Sequence, residues 1–240
     1  MTYCVGVKLD TGLIFASDSR THAGVDNYAT FCKMTVFERP ADRVLVLLSS
    51  GDLAATQAVI GVLRRRGEAE PVNIWTVTSM FDVANLVADA MRDIERRDGP
   101  YLDHSGIRFN ASFILGGQIG TEEMRLFRIY AEGNFIEAGR DTNFLQTGEA
   151  KYGKPILDLA VTPSATLDDA TKCVLVSFDS TMLSNLSVGM PIDLLCYAGD
   201  SLKVTMQRRF DIGDAYFEEL RQRWIAGTRQ VFHELPGLEW

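Results

Sequence analysis

The chain has 240 residues, with 24 Lys plus Arg against 32 Asp plus Glu and a formal net charge of -8. An anionic surface repels phosphate backbones and argues against nucleic acid as the main partner, while 46% hydrophobic and 23% charged residues exclude a disordered or fibrous chain. A chain this long buries roughly 70 to 75% of the surface its unfolded form exposes, so one domain spanning residues 1–240 is expected.

Tyr3 to Leu9 and Leu13 to Ser17 are β-rich runs around Asp10-Thr11-Gly12, which predicts an opening hairpin with Leu9 opposite Leu13. Phe31 to Phe37 and Val44 to Ser49 read as a second strand pair, followed by a helix over Leu53 to Arg66 with Asp52 as its N-cap. Met80, Val83, Ala84, Val87, Met91 and Ile94 recur at three- and four-residue intervals, the one-face signature of a packed helix. Ala111 to Leu115 and Met124 to Ala131 return to strand character, with Gly116, Gly117 and Gly120 read as the turn between them. Their spacing fits neither the dinucleotide fingerprint nor the Lys-containing phosphate loop. A short strand near Phe144, a helical turn before Pro155, a helix over Leu167 to Leu183, strands over Ile192 to Ala198 and Leu202 to Arg209, and a helix over Asp214 to Thr228 complete the order. Hairpin-connected strands with helices gathered in blocks predict an α+β layered sandwich.

An uninterrupted apolar stretch such as Val44 to Leu48 falls far short of the ~20 residues a membrane-spanning helix needs. The N-terminus lacks the basic and apolar regions of a secretory signal, so a cytoplasmic chain with no membrane partner is expected. Cys4, Cys32, Cys173 and Cys196 are scattered among apolar neighbours and read as reduced core residues. His22, His104 and His233 are too few and too dispersed for a zinc site, and neither metal nor cofactor is expected.

Chemistry concentrates at the N-terminus. Removal of Met1 makes Thr2 terminal, and a terminal threonine holds a nucleophile and a base together. Its hydroxyl can attack a carbonyl while its α-amine, with an ordinary pKa of roughly 7.7 to 8.0, accepts the proton. In the bland alternative Thr2 is simply the second residue of an edge strand. The predicted hairpin sets Asp18 opposite Cys4 and diagonal to Thr2, about 7 to 8 Å away. A lysine ammonium fits that gap, and Lys33 lies on the following strand. Asp18 and Lys33 then either tune the nucleophile or merely hold strands together. At Ser49-Ser50-Gly51-Asp52 a strand ends and a helix begins, so the Gly51 N–H is a candidate donor to a developing oxyanion, unless the segment is a plain connection.

Thr2-Tyr3-Cys4-Val5-Gly6, Ser17-Asp18-Ser19-Arg20-Thr21, Lys33 and Ser50-Gly51-Asp52 together resemble the catalytic half of a proteasome β-type subunit, an N-terminal-nucleophile hydrolase. Gly148-Glu149-Ala150-Lys151-Tyr152-Gly153-Lys154-Pro155-Ile156-Leu157 and the run from Asp179 to Gly189 are similar to the bacterial Anbu family of proteasome-related proteins, and the resemblance covers the chain essentially end to end. It implies a four-layer αββα sandwich, self-assembly into rings or open spirals, and Thr2 as nucleophile supported by Asp18 and Lys33. Two departures stand out. Glu149 occupies the turn where proteasome subunits carry a serine, and Ser187, in the place of a second supporting serine, has Ser184 where an aspartate is usual. Glu149 then either supplies the lost negative charge or raises the amine pKa and blunts the base. The spacing from Thr2 to Lys33 is also one residue shorter.

The expected activity is a threonine-type peptide or amide hydrolase, matured by a methionine aminopeptidase and acting as a homo-oligomer. By strand position Thr21, Phe31, Thr35, Ser49 and Leu53 surround its cleft. The alternatives are a self-assembling scaffold of the same fold with little or no peptidase activity, or a small-amide hydrolase or acyltransferase.

Overall fold

A computed structural model describes residues 2–22 and 28–238, so Met1, whose removal the sequence reading expects, lies outside the described residues. The architecture is α+β. Strands β1 (Tyr3–Leu9) and β2 (Gly12–Asp18) form the opening hairpin, and β3 (Arg20–His22) and β4 (Tyr28–Thr30) a two-stranded ribbon. Strands β5 (Met34–Arg39) and β6 (Arg43–Gly51) precede helices α1 (Leu53–Ala69) and α2 (Met80–His104). Then follow β7 (Ala111–Ile119), β8 (Arg125–Ile129), β9 (Phe135–Glu137), β10 (Phe144–Gly148), α3 (Lys154–Ala160), α4 (Leu167–Ser184), β11 (Ile192–Ala198), β12 (Met206–Phe210) and α5 (Ala215–Glu234).

Two five-stranded sheets result, one in the order β10-β1-β2-β11-β12 and one in the order β5-β6-β7-β8-β9, with antiparallel neighbours throughout. Strand side chains alternate between faces, and that period assigns the core. Leu13 and Phe15 of β2 meet Val44, Val46 and Leu48 of β6 between the sheets. Ile14 and Ala16 face the other way, onto α4, while Leu45 and Leu47 of β6 face α1 and α2. Each such Val, Leu, Ile or Phe side chain, fully buried, contributes roughly 1.5 to 3 kcal/mol.

The hairpin register differs from the expected one. Leu9 pairs with Gly12 and Cys4 with Ser17, so Asp10-Thr11 alone connect the strands. Gly12 belongs to β2 because the Tyr197 carbonyl of β11 passes 2.2 Å from where a Cβ would stand; the glycine serves sheet packing and not the turn. A one-residue slip exchanges the faces of every residue on a strand, so Asp18 stands opposite Ile192 of β11 and not on the face of Cys4.

Gly116 and Gly117 likewise lie inside β7, where a Cβ on the first would come within 2.7 Å of the Phe15 ring and on the second within 1.9 Å of the Val44 carbonyl. The turn begins only at Gly120. Helix α2 continues past Ile94 to His104, and α5 past Thr228 to Glu234. Strand β5 begins at Met34, so Phe31 and Lys33 precede it outside any strand, and Leu202 precedes β12.

No described helix is long and apolar enough to cross a membrane. Among the described residues no group of three or more His, Cys, Asp or Glu side chains is placed to hold a metal ion.

Candidate active site

The ends of several strands converge on one cavity of about 460 Å³, lined by Thr2, Thr21, Lys33, Ser49 to Gly51, Leu53, Thr56, Asn110, Ser112, Arg128, Thr147 and Gly148. Thr2 reaches it because β1 begins there beside the end of β10. The Thr2 carbonyl accepts a hydrogen bond from the Glu149 N–H at 2.6 Å. Gly148, at φ +82°, lets the chain pass so closely that a Cβ would lie 2.0 Å from the Thr2 carbonyl oxygen.

Asp18 ends β2 wholly buried. Its Oδ1 accepts the Tyr3 N–H at 3.0 Å and the Lys33 ammonium at 2.7 Å. Lys33 Nζ also donates to the Arg20 carbonyl at 2.7 Å, and Ser49 N–H binds the Lys33 carbonyl at 2.9 Å. Asp18 therefore fixes the backbone next to Thr2 and the ammonium in the cavity through one oxygen. Burial pushes its carboxyl above the ordinary carboxylate range, and the Lys33 ammonium opposes that rise. Cys4, on the other face of β1, is a buried thiol whose pKa is raised by burial.

Gly51 closes β6 at φ +104°, where a Cβ would meet the Asn110 carbonyl oxygen at 2.2 Å. Only glycine takes that turn without strain. The next residue, Asp52, caps α1 by accepting the Ala55 N–H at 3.0 Å, so the cavity borders the positive end of a helix dipole.

Of the residues singled out in the sequence, the cavity brings together Thr2, Lys33, Gly51, Thr21, Ser49 and Leu53, with Asp18 bonded to Lys33 beneath it. Phe31, Thr35, Glu149 and Ser187 lie outside its lining. Thr35 pairs with Leu47, which faces the helices, so strand alternation turns it away from the gap. Phe31, in the segment before β5, is exposed. The Glu149 carboxylate accepts the Lys151 N–H and the Asn185 side-chain amide, each at 2.9 Å. The same Asn185 accepts the Ser187 N–H at 3.0 Å, so Glu149 and Ser187 belong to a single Asn185-centred network beside the cavity.

Sequence reasoning missed Thr56, Asn110, Ser112, Arg128 and Thr147. Thr147 and Ser50 share a buried hydroxyl contact at 2.7 Å that joins the two sheets. Asn110 and Ser112 follow from the pairing of β7 with the end of β6, a long-range register without local signal.

No protein-family model matches the chain, and no curated protein does. Solved structures match closely. Anbu (ancestral beta-subunit) from Yersinia bercovieri is 45% identical with a TM-score of 0.93, the match covering 99% of each chain. The helical assembly of the Anbu complex from Pseudomonas aeruginosa is 46% identical with a TM-score of 0.94, covering 99% of this chain and 98% of that one. Anbu from Hyphomicrobium sp. strain MC1 is 45% identical with a TM-score of 0.91, covering 99% and 100%. Identity of this level over the full length, on a shared backbone, shows that the chain belongs to the Anbu family.

Proposed function

We propose that the chain is a proteasome-type N-terminal threonine hydrolase that cleaves peptide or amide bonds after Met1 is removed, and that it works as a self-assembled homo-oligomer. The observation that carries this reading is the cavity shared by Thr2 and Lys33, with the Lys33 ammonium and the Tyr3 backbone held by one Asp18 oxygen. In the proposed reaction the Thr2 hydroxyl oxygen bonds to the substrate carbonyl carbon and its proton passes to the free α-amine. Lys33, whose side chain lines the same cavity, favours the alkoxide. The Gly51 N–H stabilises the oxyanion, a kind of interaction worth about 2.7 to 4 kcal/mol. The tetrahedral adduct then expels the substrate amine, which takes the proton, and water hydrolyses the ester left on Thr2.

Helices α1 and α2 on one sheet and α3 and α4 on the other support the finer reading of the fold, a single four-layer αββα domain of the N-terminal-nucleophile hydrolase type. The helical assembly of the Pseudomonas relative supports self-association into an open spiral or ring. We place the protein in the cytoplasm, where a methionine aminopeptidase would expose Thr2.

The second reading is a scaffold of the same fold with little or no turnover. It is favoured by Glu149, whose carboxylate is committed to Lys151 and Asn185. Met1-free protein and its Thr2→Ala variant, each checked for assembly, are compared on a mixed peptide pool. The hydrolase reading expects turnover that vanishes in the variant while assembly persists. Equal turnover in both, or none in either, overturns it.

A further inference from the structure

The chain is anionic overall, yet the cavity that holds Thr2 has two cations in its lining and no Asp or Glu. The two cations differ. Lys33 is committed to Asp18 and to the Arg20 carbonyl. Arg128 is not committed in this way: its Nε is buried and has no hydrogen-bond partner among the described residues. Its neighbour on the same strand, Arg125, shows what satisfaction looks like, with Glu137 and Glu122 both paired to it. Arg128 instead lies over the Tyr130 ring, with the guanidinium carbon 4.8 Å from the ring centroid. A cation over a ring face is held by the ring's quadrupole, which supplies no hydrogen-bond acceptor to the buried Nε–H. A second unused donor shares the cavity, since Thr21 Oγ1 is also buried without a partner among the described residues.

A buried donor without an acceptor carries the full cost of desolvation, which a ligand bringing the acceptor relieves. A guanidinium edge matches the two oxygens of a carboxylate in one plane. We infer that Arg128, assisted by Thr21, makes this cavity select peptides with an acidic side chain, Asp or Glu, at the residue whose carbonyl Thr2 attacks. This rests on the reading of the chain as a peptide hydrolase and names the substrate class of that same site. A neutral amide isostere fills the same space but brings one acceptor oxygen, no charge, and an NH2 donor that meets the guanidinium donors, so discrimination comes as much from rejecting Gln as from holding Glu.

The test uses four peptides identical except for Glu, Gln, Leu or Lys before a fluorogenic amide. The unaltered, Met1-free protein is expected to favour Glu over Gln in kcat/KM by roughly tenfold to a hundredfold, the range of a hydrogen bond to a charged group, and to cleave the Lys peptide least. Arg128→Met is expected to bring the Glu and Gln peptides to parity, and Arg128→Lys to keep part of the preference. Each value is a ratio within one preparation, so partial misfolding of a variant cancels. Parity in the unaltered protein, or a ratio that survives in Arg128→Met, overturns the inference. Should none of the peptides be cleaved, the hydrolase reading fails. Anisotropy of the same peptides, carrying a fluorescent label, on the Thr2→Ala protein then decides the inference by itself: tighter binding of the Glu peptide supports it, and equal affinities overturn it.

Discussion

Replacing Gly148 by Ala tests whether the position of Thr2 matters, without touching any side chain placed in the chemistry. The backbone there has φ +82°, and a Cβ would stand 2.0 Å from the Thr2 carbonyl oxygen. Ordinary carbon–oxygen contacts begin near roughly 3.3 Å, so strand β1 must retreat by about 1.3 Å at the proposed nucleophile. Misplacement of about 1 Å lowers reactivity on the order of a hundredfold. Left-handed backbone at a residue with a Cβ costs about 1 to 2 kcal/mol, which for a chain of this size lowers the melting temperature by roughly 2 to 8 °C. Gly61→Ala is the control, because nothing lies within 4 Å of its Cβ position on α1. There Ala relieves a helix cost of about 0.5 to 1 kcal/mol, and the melting temperature rises slightly. Thermal melting and the rate at which a threonine-directed electrophile labels the protein are measured on the same samples. A Gly148→Ala protein that melts lower yet labels at the unaltered rate would refute the argument that this close approach positions Thr2.

The Asp18–Lys33 pair gives a stability prediction, because removing one member leaves a buried charge uncompensated. Lys33→Met is expected to cost about 3 to 5 kcal/mol in chemical denaturation, and Asp18→Asn combined with it to recover much of that stability while activity stays lost; a double variant no more stable than the single would contradict the pairing. Asp52→Ala removes the acceptor of the Ala55 N–H and is expected to cost about 1 kcal/mol, read as a melting shift. Of the four thiols expected in the core, Cys32 is exposed while Cys4, Cys173 and Cys196 are buried; partial burial raises the Cys32 thiol as well, and burial pushes Cys173 up to about 11. A disulfide reagent at pH 8 should therefore titrate Cys32 in the native protein and the others only after denaturation. Rapid native reaction of a further thiol would show that the packing around it is looser than described.

Much of this was legible because period and chemistry agreed. The stripe from Met80 to Ile94 marks α2, and its true end at His104 was hidden because the stripe gives way to the charged run Glu95 to Asp98. Asp52 was legible as a cap because a short acceptor before an apolar run has few other uses. Glycines misled, since Gly12, Gly116 and Gly117 read as turn formers whereas the fold uses them where strands and sheets approach too closely for a Cβ. That slip shifted the hairpin register by one residue, yet Asp18 still reaches Lys33, because the carboxylate engages the Tyr3 backbone and not a residue on the face of Cys4. Arg128 and Thr147 gave no local sign. They come to the cavity through the pairing of β8 with β7 and of β10 with β1, information that sits in long-range register.

Met1-free protein treated with a peptide epoxyketone, an electrophile that consumes both a hydroxyl and a free amine on one residue, and then examined by intact mass and peptide mapping, tests the central claim most directly. One adduct per chain, mapped to Thr2 and lost in Thr2→Ala, is the predicted result. Protein that is demonstrably free of Met1 yet takes up no adduct, or an adduct that persists without the threonine, would contradict it.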